Sequence, residues 1–288
     1  MRVFDSHVHH FWWDSRETSG FAEALHDQAQ EIGVEKIALL GTPGRVGHDA
    51  LEEAIGHYPD LYVGMGWLRL DEDPPSLIDE FKERGFHGIK ILGPSRDYDD
   101  EAYYRHYEKA QANGMRILFH TGILGGPNDY LMGGGEDAWK APPTGKEEAD
   151  LVARLGREAR GRRYGFSSAR MQPIYLDTIA FHFPEMFIIG AHLGWPDYRT
   201  ACAVARWRPR LFFDVSGGDV VRNHIIDGKY VMNEIRPEKL VYGSDSDMRR
   251  MKGDIAAWQQ AFSAMGLDDD QQELIFYRNA ARIFGFEE

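Results

Sequence analysis

The chain has 288 residues, of which 43% are hydrophobic, 12% aromatic and 27% charged, a composition typical of a globular protein in solution. Its formal net charge of −13 argues against general nucleic-acid binding, which depends on Lys and Arg side chains that neutralise phosphates. No apolar run reaches the roughly 18 residues of a membrane-spanning helix, and the start MRVFDSHVHH lacks a signal-peptide core. The single cysteine, Cys202, allows no intramolecular disulfide. We therefore expect a cytoplasmic protein without nucleic-acid or membrane partners.

Eight short apolar runs rich in β-branched residues predict the strands. In chain order they are 2–8 (RVFDSHV), 36–41 (KIALLG), 61–70 (LYVGMGWLRL), 87–92 (HGIKIL), 115–120 (MRILFH), 186–192 (MFIIGAH), 210–216 (RLFFDVS) and 239–245 (KLVYGSD). Successive runs start 24 to 34 residues apart, which is close to one strand-helix-strand unit, except for 71 residues between the fifth and the sixth.

Amphipathic helical segments lie between these strands. EALHDQAQEIG, PPSLIDEFKERG and DEAYYRHYEKAQANG each end in glycine, as helices commonly do, and two final helices are predicted over 248–264 and 268–284. Apolar strands that alternate with helices indicate a parallel sheet covered on both faces. Eight such units predict one (β/α)8 TIM-barrel domain over residues 1–288. A doubly wound open sheet is the alternative, disfavoured because no Gly-rich phosphate fingerprint follows the first strand.

The long interval after the fifth strand predicts an insertion over about 123–170. It contains GGPNDYLMGGGEDAWKAPPTG and the arginine-rich RLGREARGRRYGFSSAR. Loops of this length in a compact domain are usually functional or disordered. Because this loop would emerge at the catalytic face of a barrel, we interpret it as a lid.

Ionisable side chains follow four of the predicted strands at their carboxyl ends, where barrel enzymes place their chemistry. They are His7 and His9 on strand 1, His120 on strand 5, His192 on strand 6 and Asp245 on strand 8. His7 and His9 are two residues apart, so both imidazoles share one face of the strand. Imidazole and carboxylate groups with an open coordination position are typical of a catalytic metal site.

Each member of this set has a simpler explanation by itself. A strand-end histidine is usually a hydrogen-bonding residue, the pattern HxH arises by chance, and Asp245 in GSDSD has the form of a helix N-cap. The joint occurrence at four strand ends favours the metal site over these alternatives.

The chain resembles the amidohydrolase superfamily, and within it the amidohydrolase-related branch that includes aminocarboxymuconate-semialdehyde decarboxylase and several lactonases. The motifs that carry the resemblance are DSHVHHF, GFHGIKILGP, ILFHTG, FPEMFIIGAHLGWP, LFFDVSGG and VYGSDSD. The resemblance implies that His7, His9, His120 and Asp245 are metal ligands and that His192 is a catalytic histidine. It implies one divalent ion, with zinc expected first and manganese, iron or cobalt as alternatives. It is also compatible with a homodimer.

Lys90 in GIKIL raises a second possibility for the metal. Some superfamily members carry a carboxylated lysine on strand 4 that bridges two metal ions. Because Ile91 and Leu92 follow it, we expect Lys90 to be structural or substrate-facing, with the bridging role as the weaker alternative.

Arginine and tryptophan side chains near the strand ends are candidates for substrate binding. Arg69 ends strand 3 and Arg170 leaves the insertion, and either guanidinium suits a substrate carboxylate. Trp13 and Trp195 follow the segments that carry His9 and His192, and they suit an apolar wall for a flat substrate. Packing beneath the loops is an equal alternative for the tryptophans. Arg45 in GTPGRVG is better explained as a surface residue.

These residues together predict a metal-dependent hydrolase that acts on a small carboxylate-bearing or cyclic substrate, such as a lactone, ester or amide, through a metal-activated water. In this scheme Asp245 both ligates the metal and accepts the proton of the water, while His192 orients the water or polarises the substrate carbonyl. A metal-dependent nonoxidative decarboxylase of an unsaturated or aromatic acid is the first alternative. A catalytically silent barrel that binds a small ligand is the second. A serine hydrolase is rejected, because no GxSxG elbow is present.

Overall fold

The computed structural model describes residues 1–10, 14, 16–42, 46–124, 167–246 and 248–286. The eight strands are β1 Val3–His9, β2 Val34–Leu40, β3 Tyr62–Leu68, β4 Gly88–Ile91, β5 Arg116–Phe119, β6 Ile188–Gly190, β7 Leu211–Asp214 and β8 Leu240–Val241. Each strand pairs in parallel with the next one along the chain, in the order β1 to β8.

The last strand returns to the first, so the sheet closes into a barrel. The backbone N–H of Ser6 donates to the carbonyl oxygen of Tyr242 over 3.0 Å. The N–H of Asp245 donates to the carbonyl oxygen of His7 over 2.8 Å. These bonds join β1 to the segment that follows β8, which confirms the predicted (β/α)8 barrel and excludes the open sheet.

Helices alternate with the strands and cover the outside of the barrel. They are α1 Thr18–Ile32, α2 His48–His57, α3 Leu77–Glu83, α4 Tyr104–Ala112, α5 Tyr175–His182, α6 Tyr198–Trp207, α7 Gly218–Gly228, α8 Met251–Ala264, α9 Asp269–Glu273 and α10 Asn279–Phe284. In α1 the buried residues recur every three or four positions, as in an amphipathic helix, and Gly33 ends it in the left-handed conformation that favours glycine. The π-helical turn Leu274–Arg278 joins α9 to α10, so the predicted final helix is continuous. No helix within the described ranges is both long and apolar enough to span a membrane.

Apolar side chains fill the interior of the barrel below its carboxyl-terminal mouth. They are Phe4, Ala38, Leu40, Val63, Met65, Leu118, Ile189, Phe212 and Val241, all at most 1% exposed. The ring of Phe284 on α10 stacks on Phe4 with 5.3 Å between centroids, and α10 thereby closes the amino-terminal end. This packing leaves the opposite end of the barrel for polar chemistry.

The predicted insertion over about 123–170 lies mostly outside the described residues. Only residues 123, 124 and 167–170 of it are described, and the last four belong to the short 3₁₀ segment Ser168–Met171 and its preceding residue. The lid interpretation therefore stays a prediction.

Gly122 brings the loops after β5 and β6 into direct contact. Its φ is +85°, and its N–H donates to the carbonyl oxygen of Met171 over 2.8 Å. The next residue, Ile123, donates its N–H to the carbonyl oxygen of Trp195 over 2.8 Å. A Cβ atom at position 122 would overlap that same carbonyl oxygen, so only glycine fits here. The two loops carry His120 and His192, and their separation therefore depends on Gly122.

We expect Gly122→Ala to lower the free energy of unfolding by about 3 kcal/mol, because it adds left-handed strain and a steric overlap with Trp195. Urea unfolding followed by circular dichroism measures this loss. Gly33→Ala is the matched control: its φ is +77°, and no described atom lies within 4 Å of the added Cβ. That control should lose about 1 kcal/mol, from strain alone. Equal losses in the two variants would contradict a steric role for Gly122.

Candidate functional site

Polar side chains occupy the mouth of the barrel, directly above its apolar interior. Thr42, His120 and Asp214 each lie two residues after an interior apolar residue, so they point to the same side of their strands. Lys90 lies on β4 between Ile89 and Ile91, both of which pack outward against the helices. The alternation of side chains along a strand thus brings distant parts of the sequence to one place.

Strand β1 is irregular, and the irregularity allows its histidines to reach the mouth. Phe4 belongs to the apolar interior although it is three residues from His7, an odd spacing. The pairing register of β1 with β2 shifts between Val3 and Phe4 and again between Asp5 and Val8. A shift of this kind changes which residues face inward, so both Phe4 and His7 lie on the barrel axis.

Three of the four predicted metal ligands, His7, His9 and Asp245, come together in a group that could hold a metal ion. Their ligand atoms all lie within 4.8 Å of one another. The Nε2 atoms of His7 and His9 are 3.2 Å apart, and Asp245 Oδ1 lies 3.7 Å from the first and 3.8 Å from the second. Two imidazole nitrogens and a carboxylate oxygen around one small space are suitable ligands for a divalent transition-metal ion. The donor set at the site therefore suits the metal that the sequence implies.

His120 and His192 form a second pair on the other side of Asp245. His120 Nδ1 lies 3.3 Å from His192 Nε2, and Asp245 Oδ2 lies 3.9 Å from that same His192 atom. The Nε2 atom of His120 is buried and has no hydrogen-bond partner among the described residues. An unpartnered buried nitrogen at this place is consistent with a ligand or substrate atom beside it. His120 lies outside the three-residue group, so its role as a metal ligand stays a prediction.

The backbone at His192 and Asp245 is strained. His192 has a φ of 59°, the following Leu193 a φ of 44°, and Asp245 a φ of 42°. Side chains other than glycine rarely adopt this left-handed region, and such residues cluster at active sites. His192 and Asp245 follow the short strands β6 and β8. Their backbone depends on the surrounding packing to hold it in this conformation.

Asp214 and Thr42 orient the two histidines of β1. Asp214 Oδ2 lies 2.8 Å from His7 Nδ1, and Thr42 Oγ1 lies 3.0 Å from His9 Nδ1. A neutral imidazole that donates from Nδ1 to a carboxylate presents its Nε2 lone pair on the opposite side. For His7 this lone pair points to the metal-binding group.

Burial keeps the imidazoles neutral. Removal from water lowers the pKa of His7, His9 and His120 well below the usual histidine value, and the charge of Lys90 contributes in the same direction. Burial also lowers the pKa of His192 to about 4. Neutral imidazole is the form that binds metal ions.

Burial and mutual attraction have opposing effects on the pKa values of Asp245 and Lys90: burial favours the neutral form of each group, and attraction favours the charged form. Burial raises the pKa of Asp245 to about 7, while the charge of Lys90 opposes that rise. Burial lowers the pKa of Lys90 to about 8, and the charges of Asp245 and Asp214 oppose that fall. A cation bound beside Asp245 would favour its ionised form.

Lys90 lies inside the site, closer to the ligands than the sequence indicated. It is 2% exposed, and its Nζ is 3.4 Å from His7 Nε2. It occupies the third of the four positions of β4, so it is one residue short of the strand end. This placement fits a lysine that faces the metal or the substrate.

The two predicted substrate-binding arginines form ion pairs with acidic side chains. Arg69 is half-exposed and forms ion pairs with Glu72 and Asp73 in its own turn. Arg170 forms an exposed ion pair with Asp97 over 2.9 Å. The structure describes no hydrogen bond or ion pair between either arginine and the histidines of the mouth.

Of the tryptophans, Trp195 is half-buried and packs against the core beside the His192 loop. Trp13 and Arg45 lie outside the described residues. The roles of Arg69, Arg170, Trp13 and Trp195 in substrate binding therefore stay predictions.

Sequence reasoning did not include Asp214 or Ser216 among the site residues. Asp214 is fully buried at the end of an apolar strand, two residues after an interior phenylalanine. A buried carboxylate in that position requires hydrogen-bond donors, which here are the Ser216 hydroxyl, the His7 ring and backbone N–H groups. The run RLFFDVS contained this signal.

Comparison with known proteins identifies the family and agrees with the barrel fold. A family profile described as Amidohydrolase matches residues 5–286. No curated protein sequence matches the chain.

Three solved structures are similar over almost their whole length. One is a probable 2-pyrone-4,6-dicarboxylic acid hydrolase from Acinetobacter baumannii with citric acid bound, with 15% identity, a TM-score of 0.60, and coverage of 99% of this chain and 100% of that one. The second is 5-carboxyvanillate decarboxylase from Sphingomonas paucimobilis, with 14% identity, a TM-score of 0.61 and coverage of 99% of both chains. The third is dihydroxybenzoic acid decarboxylase from Polaromonas sp. JS666 with bound manganese and 2-nitroresorcinol, with 18% identity, a TM-score of 0.58, and coverage of 100% and 97%. At these identities the likeness shows a shared fold.

Proposed function

Because the chain belongs to the amidohydrolase family, we propose that it is a metal-dependent hydrolase of a small carboxylate-bearing or cyclic substrate, a lactone, ester or amide. The observation that carries this proposal is the convergence of His7, His9 and Asp245, whose ligand atoms lie within 4.8 Å of one another. They come from opposite ends of the sequence and meet at the face where barrel enzymes place their chemistry.

The ligands would hold one divalent ion, which we propose to be zinc, with manganese, iron or cobalt as alternatives. When bound, such an ion lowers the pKa of a coordinated water and polarises a substrate oxygen. Two imidazoles and a carboxylate leave coordination positions open, as a catalytic site requires. The manganese in the similar dihydroxybenzoic acid decarboxylase supports a metal of this class.

Asp245 is placed to carry the proton during hydrolysis. Its Oδ1 faces the histidines of β1, and its Oδ2 faces His192. We assign to it the proton of the attacking water: the water oxygen bonds to the carbonyl carbon, and the bond from that carbon to the leaving oxygen or nitrogen breaks. The leaving atom then takes the proton from Asp245, which balances the reaction.

The surrounding side chains bind and orient the substrate. His192 is next to the carboxylate that carries the proton, which suits a role in orienting the water. Lys90 places the positive charge of a buried ammonium beside the ligands, where it would attract a substrate carboxylate or developing oxyanion. Burial strengthens such an attraction, because little water screens it.

A nonoxidative decarboxylase is the second candidate function. Two of the similar solved structures are decarboxylases of aromatic acids, and the same ligands would serve that reaction. In that case the carboxyl carbon of the substrate leaves as carbon dioxide and a proton replaces it on the ring or alkene carbon. The presence of all four predicted ligand residues in the sequence argues against the third alternative, a silent binding barrel, since a decayed site is expected to lose ligands.

We expect Asp245→Asn to reduce turnover at least about 100-fold, because the amide ligates a metal poorly and cannot accept a proton. Turnover is measured on the best substrate from a panel of lactones, esters, amides and unsaturated or aromatic acids. Asp177→Asn is the control, since it makes the same chemical change in an ion pair with Arg208 on the outer surface. Both variants should retain the circular dichroism spectrum. Full turnover by Asp245→Asn would refute the mechanism.

Isotope labelling separates hydrolysis from decarboxylation. In water enriched in oxygen-18, we expect one labelled oxygen in the new carboxylate of the product, detected by mass spectrometry, because hydrolysis adds water across the broken bond. A decarboxylase would release carbon dioxide and, in heavy water, place deuterium on the carbon that lost it. Carbon dioxide release with a deuterated product would replace the hydrolase proposal by the second candidate.

A further inference from the structure

The hydroxyl group of Ser216 lies between a buried carboxylate and the histidine assigned a catalytic role. Ser216 Oγ is hydrogen-bonded to Asp214 Oδ1, and it lies 2.8 Å from His192 Nδ1. Ser216 is 1% exposed, Asp214 is fully buried and His192 is 7% exposed. Protein groups therefore dominate the hydrogen bonding of this cluster, and its proton positions can be derived from them.

The acceptor role of Asp214 Oδ1 follows from its other neighbours. The backbone N–H of His192 donates to it over 2.8 Å, and the backbone N–H of Ser216 donates to it over 3.0 Å. Both bonds use lone pairs of Oδ1, so we assign Oδ1 as the oxygen of the carboxyl group that carries no hydrogen. The serine hydroxyl, which contacts the same oxygen, must therefore donate its own hydrogen to it.

This bond leaves Ser216 with lone pairs only. A serine hydroxyl has one hydrogen, and that hydrogen is used on Asp214. The contact of 2.8 Å with His192 Nδ1 is consequently a bond in which His192 donates. A neutral imidazole carries one ring hydrogen, so Nε2 of His192 is left with a lone pair. That nitrogen is the one 3.3 Å from His120 and 3.9 Å from Asp245 Oδ2.

We propose that Ser216 is a positioning residue that locks His192 in the tautomer with hydrogen on Nδ1 and a bare Nε2 facing the reaction site. The inference deepens the proposed hydrolase function and rests on it. It also narrows the role of His192: a bare Nε2 can only accept a hydrogen bond, from His120 Nδ1 or from an attacking water that takes its place, and it has no hydrogen to donate to a substrate carbonyl oxygen. Of the two roles that the sequence left open for His192, the cluster selects the first.

The same carboxylate fixes the backbone and the ring of His192. Asp214 Oδ1 binds the backbone N–H directly and reaches the ring through Ser216. His192 has a φ of 59°, so its backbone is strained and its ring direction depends on such anchors. His7 Nδ1 also approaches Ser216 Oγ, at 3.3 Å, but its closer partner is Asp214 Oδ2 at 2.8 Å.

The tautomer is measured by nitrogen-15 NMR of the histidine rings in the full chain labelled with [¹⁵N]histidine, both zinc-loaded and chelator-treated. His192→Gln identifies the signals of His192 by their loss. In both samples we expect a one-bond coupling between nitrogen-15 and a proton at Nδ1 of His192, and no such coupling at Nε2. A proton on Nε2 in the unsubstituted protein would overturn the proposal, and this readout needs neither substrate nor turnover.

Three variants test whether Ser216 causes the preference. Ser216→Ala should mix the two His192 tautomers. It should also lower kcat about 10-fold to 100-fold, the range seen when residues that hydrogen-bond to metal-site side chains are replaced. Ser216→Thr keeps the hydroxyl and should keep hydrogen on Nδ1. Ser6→Ala is the matched control, because its buried hydroxyl contacts only the carbonyl oxygen of Tyr242 among the described residues.

The control should leave the His192 signals unchanged. Unchanged His192 signals in Ser216→Ala would overturn the proposal. If that variant does not fold, the spectrum of the unsubstituted protein decides. Zinc content tests the hydrolase proposal separately from the tautomer. Because Ser216 is not a metal ligand, its variants should keep about one equivalent of zinc, and absence of zinc would count against the hydrolase proposal instead.

Discussion

Closure of eight parallel strands imposes one constraint on which the whole site depends: alternate side chains of every strand must share a single narrow interior. Below the mouth this interior is filled by apolar residues, such as Val63, Leu118 and Phe212. Two residues further along β2, β5 and β7, the same face carries Thr42, His120 and Asp214 at the mouth. Side-chain alternation therefore brings these groups together, while the register shift of β1 and the left-handed backbone at two loop residues bring in the other candidate ligands.

The cost of placing so many polar groups together is reduced by hydrogen bonds between them. Asp214 accepts hydrogen bonds from His7, from the backbone of His192 and from Ser216, so its buried oxygens are all used. Each imidazole that donates from Nδ1 presents a lone pair on Nε2, and these lone pairs converge on one volume. The carboxylate of β7 thereby orients His7 on β1 and His192 after β6.

Much of this architecture was predictable from sequence, because hydrophobic runs and their spacing report directly on strands and helices. All eight strands and the two final helices lie where the pattern predicts them, and His7, His9 and Asp245 meet as expected. Other features depend on three-dimensional packing. The shift in register of β1 and the overlap that requires glycine at 122 arise between segments distant in sequence. The ion pairs of Arg69 with Glu72 and Asp73 are local, and the acidic residues three and four positions after it in the sequence are their signal.

The central claim is that the mouth of the barrel holds a divalent metal ion, and metal content per chain tests it most directly. The full chain is purified without chelator and without a nickel column, and its metals are quantified by inductively coupled plasma mass spectrometry. The account predicts about one equivalent of zinc or another divalent transition metal, reduced in a His7→Ala variant. No bound metal, together with no affinity when zinc or manganese is added back, would contradict the account. The histidines would then act directly as acids and bases.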